Sequence, residues 1–247
     1  MYSWKAIRIA CTVLLLLPIV HVVYLVSRDT METLDASPDA WVRELNAYAT
    51  IDAGNHLPTD PIVVVGGHRV RLWHGLEDLL APRPVLMRGL GDAIVEDITF
   101  NHSRLVGFYR PDTVVLLPGN SEFHIRDNKS PEGLVAAITE LVALDGSYEI
   151  TRRFYIFTPL KTPLYPKDNH KIEQTTRLLK AWADTDERVT ILDANPLLSA
   201  ANGEPQPGFY RSDGVNLNER GYLRLSLLLR TQIEADTLQT QGLVTIP

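Results

Sequence analysis

The first residue whose type and place suggest chemistry is His68. It sits within PIVVVGGHRVRLW (residues 61–73), where five apolar residues run into a Gly-Gly pair and then a polar turn. A short apolar run bounded by turn signals reads as a strand buried on both faces. The turn after it lies at the carboxyl end of that strand, the edge of an open parallel sheet where ligands collect. An imidazole in that place could act as a general base or a metal ligand. It could equally fill a pocket and hydrogen-bond a neighbour. Other polar residues follow later strands in the same way. Glu122, His124, Arg126 and Asp127 come after the third strand, and Lys161 after the fourth. Lys161 could meet an anionic ligand, but Pro159, Pro163 and Pro166 around it suit a stiff rim.

The elements that must position these residues alternate along the chain. Apolar runs predict strands at Ile62–Val65, Pro84–Met87, Thr113–Leu117, Arg153–Thr158 and Val189–Leu192. Amphipathic stretches predict helices at Trp73–Leu80, Ile94–Phe108, Ser130–Leu144, Asn169–Ala183 and Asn218–Ala235. Ser130 followed by Pro131 is a helix start signal. Asp97 and His102 fall on the second of these helices and are expected to face solvent. Strand and helix alternating at this spacing make βαβ units around a parallel sheet, with right-handed crossovers placing helices on both faces. The fold class is α/β, a doubly wound, flavodoxin-like five-stranded parallel sheet, behind an N-terminal transmembrane helix. The loops after Val65, Arg88 and Leu117 then open on one surface.

Ile9–Val26 is apolar except for Thr12, Pro18 and His21. Eighteen residues of helix span roughly 27 Å, close to the thickness of a bilayer core. Lys5 and Arg8 precede the run, and Asp29, Glu32, Asp35 and Asp39 follow it with Arg28. The cationic side stays in the cytoplasm, so the expected topology is single-pass and N-in, with the globular domain on the non-cytoplasmic side. YLVSRDT lacks a small-x-small cleavage site, which favours an uncleaved anchor over a signal peptide. The expected organisation is an anchor over 1–28, a juxtamembrane helix and linker over 29–60 with a helix at Ser37–Ile51, the domain over 61–236 and a tail over 237–247. The net charge is −6, and Lys5 and Arg8 lie in the anchor, so the remainder is more acidic still. That argues against nucleic acid as a partner. The single cysteine, Cys11, can form no internal disulfide.

Four segments in order resemble the SGNH/GDSL hydrolase family. They are GGHRVRLW (66–73), RGLGDAIVEDI (88–98), VVLLPGNSEF (114–123) and RSDGVNLNERGYLRLSLLL (211–229). The resemblance covers Pro61 to Arg230. It implies the fold above and, in the family, metal-free ester or acyl hydrolysis. There a Ser attacks, a His accepts its proton, an Asp three residues earlier orients that His, and a Gly N–H with an Asn amide holds the oxyanion.

Carried over residue by residue, the family pattern is mostly substituted. The nucleophile position is His68, and the oxyanion glycine position is Asp92. The oxyanion asparagine position is Ser121, or Asn120 with a one-residue slip. The base position is Asn216, and only the orienting acid, Asp213, remains. An amide takes up no proton near neutral pH, and an anionic Asp92 would repel a developing oxyanion, so the inherited mechanism is expected to be lost. The resemblance implies no cofactor and no metal. The leading expectation is a non-catalytic relative that binds a small-molecule, glycan or acyl ligand, or an envelope protein partner, in the former cleft. The alternative is an active esterase using a rewired Ser121–His68–Asp92 site. His68, Asp92 and Asp213 as metal ligands form a third arrangement. Asp213 could also simply hold its loop through backbone N–H groups, and Arg71 and Arg88 are expected to fix loops.

Overall fold

In the computed structural model, residues 3–34, 38–124, 127–240 and 242 are described. The chain divides into two compact units, Met1–Ala40 and Trp41–Pro247. The first holds one 31-residue helix, α1 (Trp4–Leu34), with Pro18 inside it. Among the described residues no helix is long and apolar enough to cross a membrane. The side chains of α1 that are described without a break run from 11 to 27. Within them Leu14, Leu15 and Val20 are exposed. The Ser37 helix cap lies outside the described residues.

The second unit carries a five-stranded sheet in the order β2-β1-β3-β4-β5. The strands are β1 (Ile62–Gly66), β2 (Val85–Gly89), β3 (Thr113–Leu117), β4 (Arg153–Phe157) and β5 (Val189–Leu192), and every neighbouring pair is parallel. This is the flavodoxin-like order, whose direction reverses between β1 and β3. Val63, Val64 and Val65 have no exposed surface, which is why β1 reads as an unbroken apolar run. β2 runs two residues past its expected end because Arg88 and Gly89 continue the register opposite Val65 and Gly66.

The helices are α2 (Val42–Ala53), α3 (His68–Arg71), α4 (Leu76–Leu80), α5 (Val95–Phe100), α6 (His102–Leu105), α7 (Pro131–Gly146), α8 (Asn169–Ala183), α9 (Asn195–Leu198) and α10 (Glu219–Thr240). Ser130 caps α7 as expected, its Oγ accepting from the Gly133 N–H at 3.1 Å. Two predicted helices are broken. Trp73–Leu80 begins only at Leu76, because Gly75 adopts φ 83°. Ile94–Phe108 is interrupted at Asn101, whose side-chain amide donates to the Asp97 carbonyl at 2.9 Å. Asp97 and His102 are buried rather than exposed. Asp97 closes the start of α5 on the Ile94 N–H, and His102 pairs with the buried Asp145 at 2.9 Å. Periodicity reports a face but not a buried polar pair that crosses between elements.

Trp73 ties the sheet to α10. Its indole N–H donates to Ser226 Oγ at 2.8 Å, and its ring meets Phe157 edge-on and stacks over Tyr222. On the other flank, α2 belongs to this unit although the sequence groups it with the linker. Trp41 and Leu45 are buried, and Tyr48 donates to the Gly89 carbonyl. Arg88, buried at the end of β2, reaches Asp52 at 2.7 Å and Tyr109 at 2.8 Å. Arg71 pairs with Glu44 at 2.6 Å. These arginines fix loops, in line with expectation.

Candidate functional site

At the carboxyl end of β1 the chain approaches β3 more closely than a side chain permits. A Cβ on Gly66 would lie 2.3 Å from the Leu117 carbonyl oxygen, so only glycine fits. Gly67 follows and leads into α3, which starts at His68. A Cβ on Gly67 would lie 3.1 Å from the Ala93 carbonyl, and one on Gly119 would lie 3.9 Å from the same oxygen. The loops after β1, β2 and β3 therefore meet at Ala93, beside Asp92.

The fourth segment joins the same edge through Arg69. Its Nη2 donates to the Val215 carbonyl at 3.1 Å, and its own carbonyl accepts from the Tyr222 hydroxyl at 2.9 Å. Residue 69 adjoins His68 and residue 215 adjoins Asn216. The nucleophile and base positions thus stand on loops that touch each other, as the family resemblance requires.

Within that edge, Asp213 and Asn216 form one closed unit. Asp213 Oδ1 accepts from the Val215 N–H at 2.8 Å and the Asn216 N–H at 2.9 Å, and Oδ2 accepts from the Asn216 side-chain amide at 2.8 Å. Partial burial pushes the Asp213 carboxyl up, but these N–H groups outweigh it and hold it below the ordinary carboxylate range. The acid faces the group at position 216 as an orienting acid would, yet what it holds is an amide with no basic nitrogen.

His68 and Asp92 are half-buried and Ser121 is buried. Among the described residues no hydrogen bond joins His68 to Ser121 or to Asp92, so the rewired arrangement lacks both of its links in this state. Nor is any group of three His, Cys, Asp or Glu side chains placed to hold a metal ion among the described residues. Among the described residues, surface cavities of 290–520 Å³ are lined by other side chains.

The short 3-10 turn Asn120–Glu122 after β3 carries two further features. The Nδ2 of Asn120 is buried without a hydrogen-bond partner among the described residues. Glu122 is buried, its Oε1 accepting from the Val95 N–H at 2.9 Å and its Oε2 from Lys129 at 2.7 Å. Burial pushes its carboxyl up to about 7 against the pull of Lys129. Glu122 thereby ties the loop after β3 to the start of α5, so this part of the polar run is not solvated loop.

Three further features had only partial sequence signals. His124 pairs with Asp168 and stacks on Tyr165, with ring centroids 4.0 Å apart, linking the loops after β3 and β4. Only His124 of this trio stands out in the sequence, because the partners lie more than forty residues away. Lys161 is committed to Glu173 at 2.7 Å and the Gly203 carbonyl at 3.3 Å. Arg69, in the stretch that reads as a polar turn after the first strand, is 2% exposed; an arginine in a polar turn gives no hint of burial.

No family profile matches the chain, and no curated protein matches it. Solved structures do. A GDSL-like lipase from Bacteroides thetaiotaomicron superposes with a TM-score of 0.66 at 17% identity, covering 78% of this chain and 98% of its own. A protein assigned as a platelet activating factor from Streptococcus pneumonia gives 0.69 at 16% identity, covering 86% and 98%. One assigned as an acylhydrolase from Bacteroides fragilis gives 0.66 at 21%, covering 78% and 96%. At such identities the likeness is one of architecture, and architecture alone fixes no activity. With the five-stranded parallel sheet and the converging segment ends, it establishes that the chain has the SGNH/GDSL hydrolase-like fold.

Proposed function

We propose that this protein is a membrane-anchored SGNH/GDSL-hydrolase-like protein that has lost the serine mechanism of ester hydrolysis and uses the former cleft to bind a ligand. The observation that carries the reading is the Asp213–Asn216 pair. An orienting carboxylate is in position and fully hydrogen-bonded, but its partner cannot take a proton. The nucleophile position on the adjoining loop is His68, which has no hydroxyl. Losing either the nucleophile or the base costs roughly a millionfold in a well-studied serine hydrolase, and here both are replaced. The membrane part of the reading rests on the sequence: an apolar run over Ile9–Val26 behind Lys5 and Arg8, which favours N-in insertion with the domain outside the cytoplasm.

The test is hydrolysis of p-nitrophenyl acetate and p-nitrophenyl butyrate by the full chain in detergent. The expected result is release of nitrophenol at the uncatalysed rate, unchanged by Ser121→Ala. Turnover at the rate of an ordinary esterase would refute the loss of mechanism, and its disappearance in Ser121→Ala would support the rewired Ser121–His68–Asp92 site instead.

A further inference from the structure

Among the described residues two arginines are buried, and they differ in how their charge is satisfied. Arg88 uses all three guanidinium nitrogens: Nε on the Tyr109 hydroxyl, Nη1 on the Met87 carbonyl and Nη2 on Asp52. Arg69 is more deeply buried and uses one, the Nη2 bond to Val215. Its Nε and Nη1 are buried with no acceptor. No carboxylate is bonded to it. The acid that acts on it electrostatically is Asp213, whose oxygens are taken up by the Val215 and Asn216 N–H groups and the Asn216 amide. The phenols Tyr210 and Tyr222 also face it, but their hydroxyls donate elsewhere, to the carbonyls of Lys161 and Arg69.

An uncompensated buried cation costs several kcal/mol, and an arginine kept only for structure would end on carbonyls and carboxylates as Arg88 does. Unsatisfied buried polar groups call for an explanation, and a bound ion is a leading one. The position is telling. Arg69 follows β1, and its side chain crosses to the turn 213–216. That turn roofs the guanidinium with half-buried or exposed residues. On the neighbouring strand end, the buried Asn120 Nδ2 is a second donor without an acceptor. Asp92 and Asp213 are the acids close in sequence to these loops, and both lie nearer the surface than Arg69.

We propose that Arg69 is the counter-ion of an oxyanion ligand, a carboxylate or a phosphate, that enters under the 213–216 turn of the former hydrolase cleft. The guanidinium offers planar, permanently charged N–H donors that suit either anion. This inference rests on the cleft being a binding site and names the class of its ligand. An oxyanion taking the free Nε and Nη1 hydrogens would supply the acceptor that the protein withholds, and Asn120 adds a donor from the turn after β3.

Calorimetric titration of the full chain in detergent with butyrate, with inorganic phosphate and with neutral butyramide tests this. Saturable binding of butyrate or of phosphate is expected, with none of butyramide, and the anion that binds identifies the ligand class. Arg69→Met should weaken binding at least tenfold without lowering the melting temperature, because an uncompensated charge is removed. Arg69→Lys should retain more binding than Arg69→Gln, and this pair decides the matter if Arg69→Met does not fold. Absence of saturable binding by both anions, equal binding of butyramide, or unchanged affinity in Arg69→Met or Arg69→Gln would overturn the assignment. The loss of ester hydrolysis is measured separately and survives each of those outcomes.

Discussion

Replacing Glu122 with Gln should change how stability depends on pH, by an amount the geometry sets. The carboxyl is 1% exposed and holds the Val95 N–H and Lys129. Its pKa is pushed by burial from 4.5 to about 7. A carboxyl whose native pKa lies above its unfolded one binds more protons when folded. Its burial therefore costs little below about pH 4.5 and progressively more as pH rises through 7. At about 1.4 kcal/mol per pH unit, the full cost is about 3 kcal/mol. Glu122→Gln keeps an acceptor for Val95 and removes the titration. Lys129 keeps Glu96 at 2.8 Å and Asp127 at 3.2 Å, so the loss of one partner is a roughly constant offset. Urea unfolding of both proteins between pH 4.5 and 8, followed by tryptophan fluorescence, gives the difference directly. The variant should gain on the wild type by about 3 kcal/mol across that range. Parallel curves, or a gain for the wild type with rising pH, would refute the view that Glu122 is held protonated by burial.

Two other perturbations follow from the same packing. Ser226→Ala leaves the Trp73 indole N–H buried without its 2.8 Å acceptor and should cost about 1–3 kcal/mol in urea unfolding. Arg88→Met strands Asp52, of which 8% is exposed at the side chain, and should cost about 3–5 kcal/mol; a loss below 1 kcal/mol would mean that the link between β2 and α2 carries no stability.

Much of the architecture was legible because its signals are local. Ile62–Val65 reads as a doubly buried strand from the five apolar letters of Pro61–Val65, and Ser130-Pro131 marks the start of α7 without any partner. The site positions were expected only through the resemblance to the SGNH/GDSL pattern, which sets His68 five residues before Trp73 and Asp213 three before Asn216. What was not legible depends on contacts between distant residues. His102 looks like a solvent-facing helix residue until Asp145, on another helix, neutralises the cost of burying it. His124 gains meaning only beside Asp168. Arg69 sits in a stretch that reads as a polar turn, and nothing in its neighbours announces that two of its nitrogens lack acceptors. The unpaired Asn120 amide beside Ser121 has no local signal either.

The central claim is that Asp213 still faces residue 216 while the groups at the nucleophile and base positions are replaced. Restoring both tests it most directly. In the His68→Ser/Asn216→His double variant, Asp213 Oδ2 is already placed against residue 216, so the new imidazole has its orienting acid. Hydrolysis of p-nitrophenyl acetate should rise at least about 100-fold over the wild type, the low end of what general-base catalysis contributes, and neither single variant should reach it. A wild type that cleaves the ester as fast as the double variant would contradict the account.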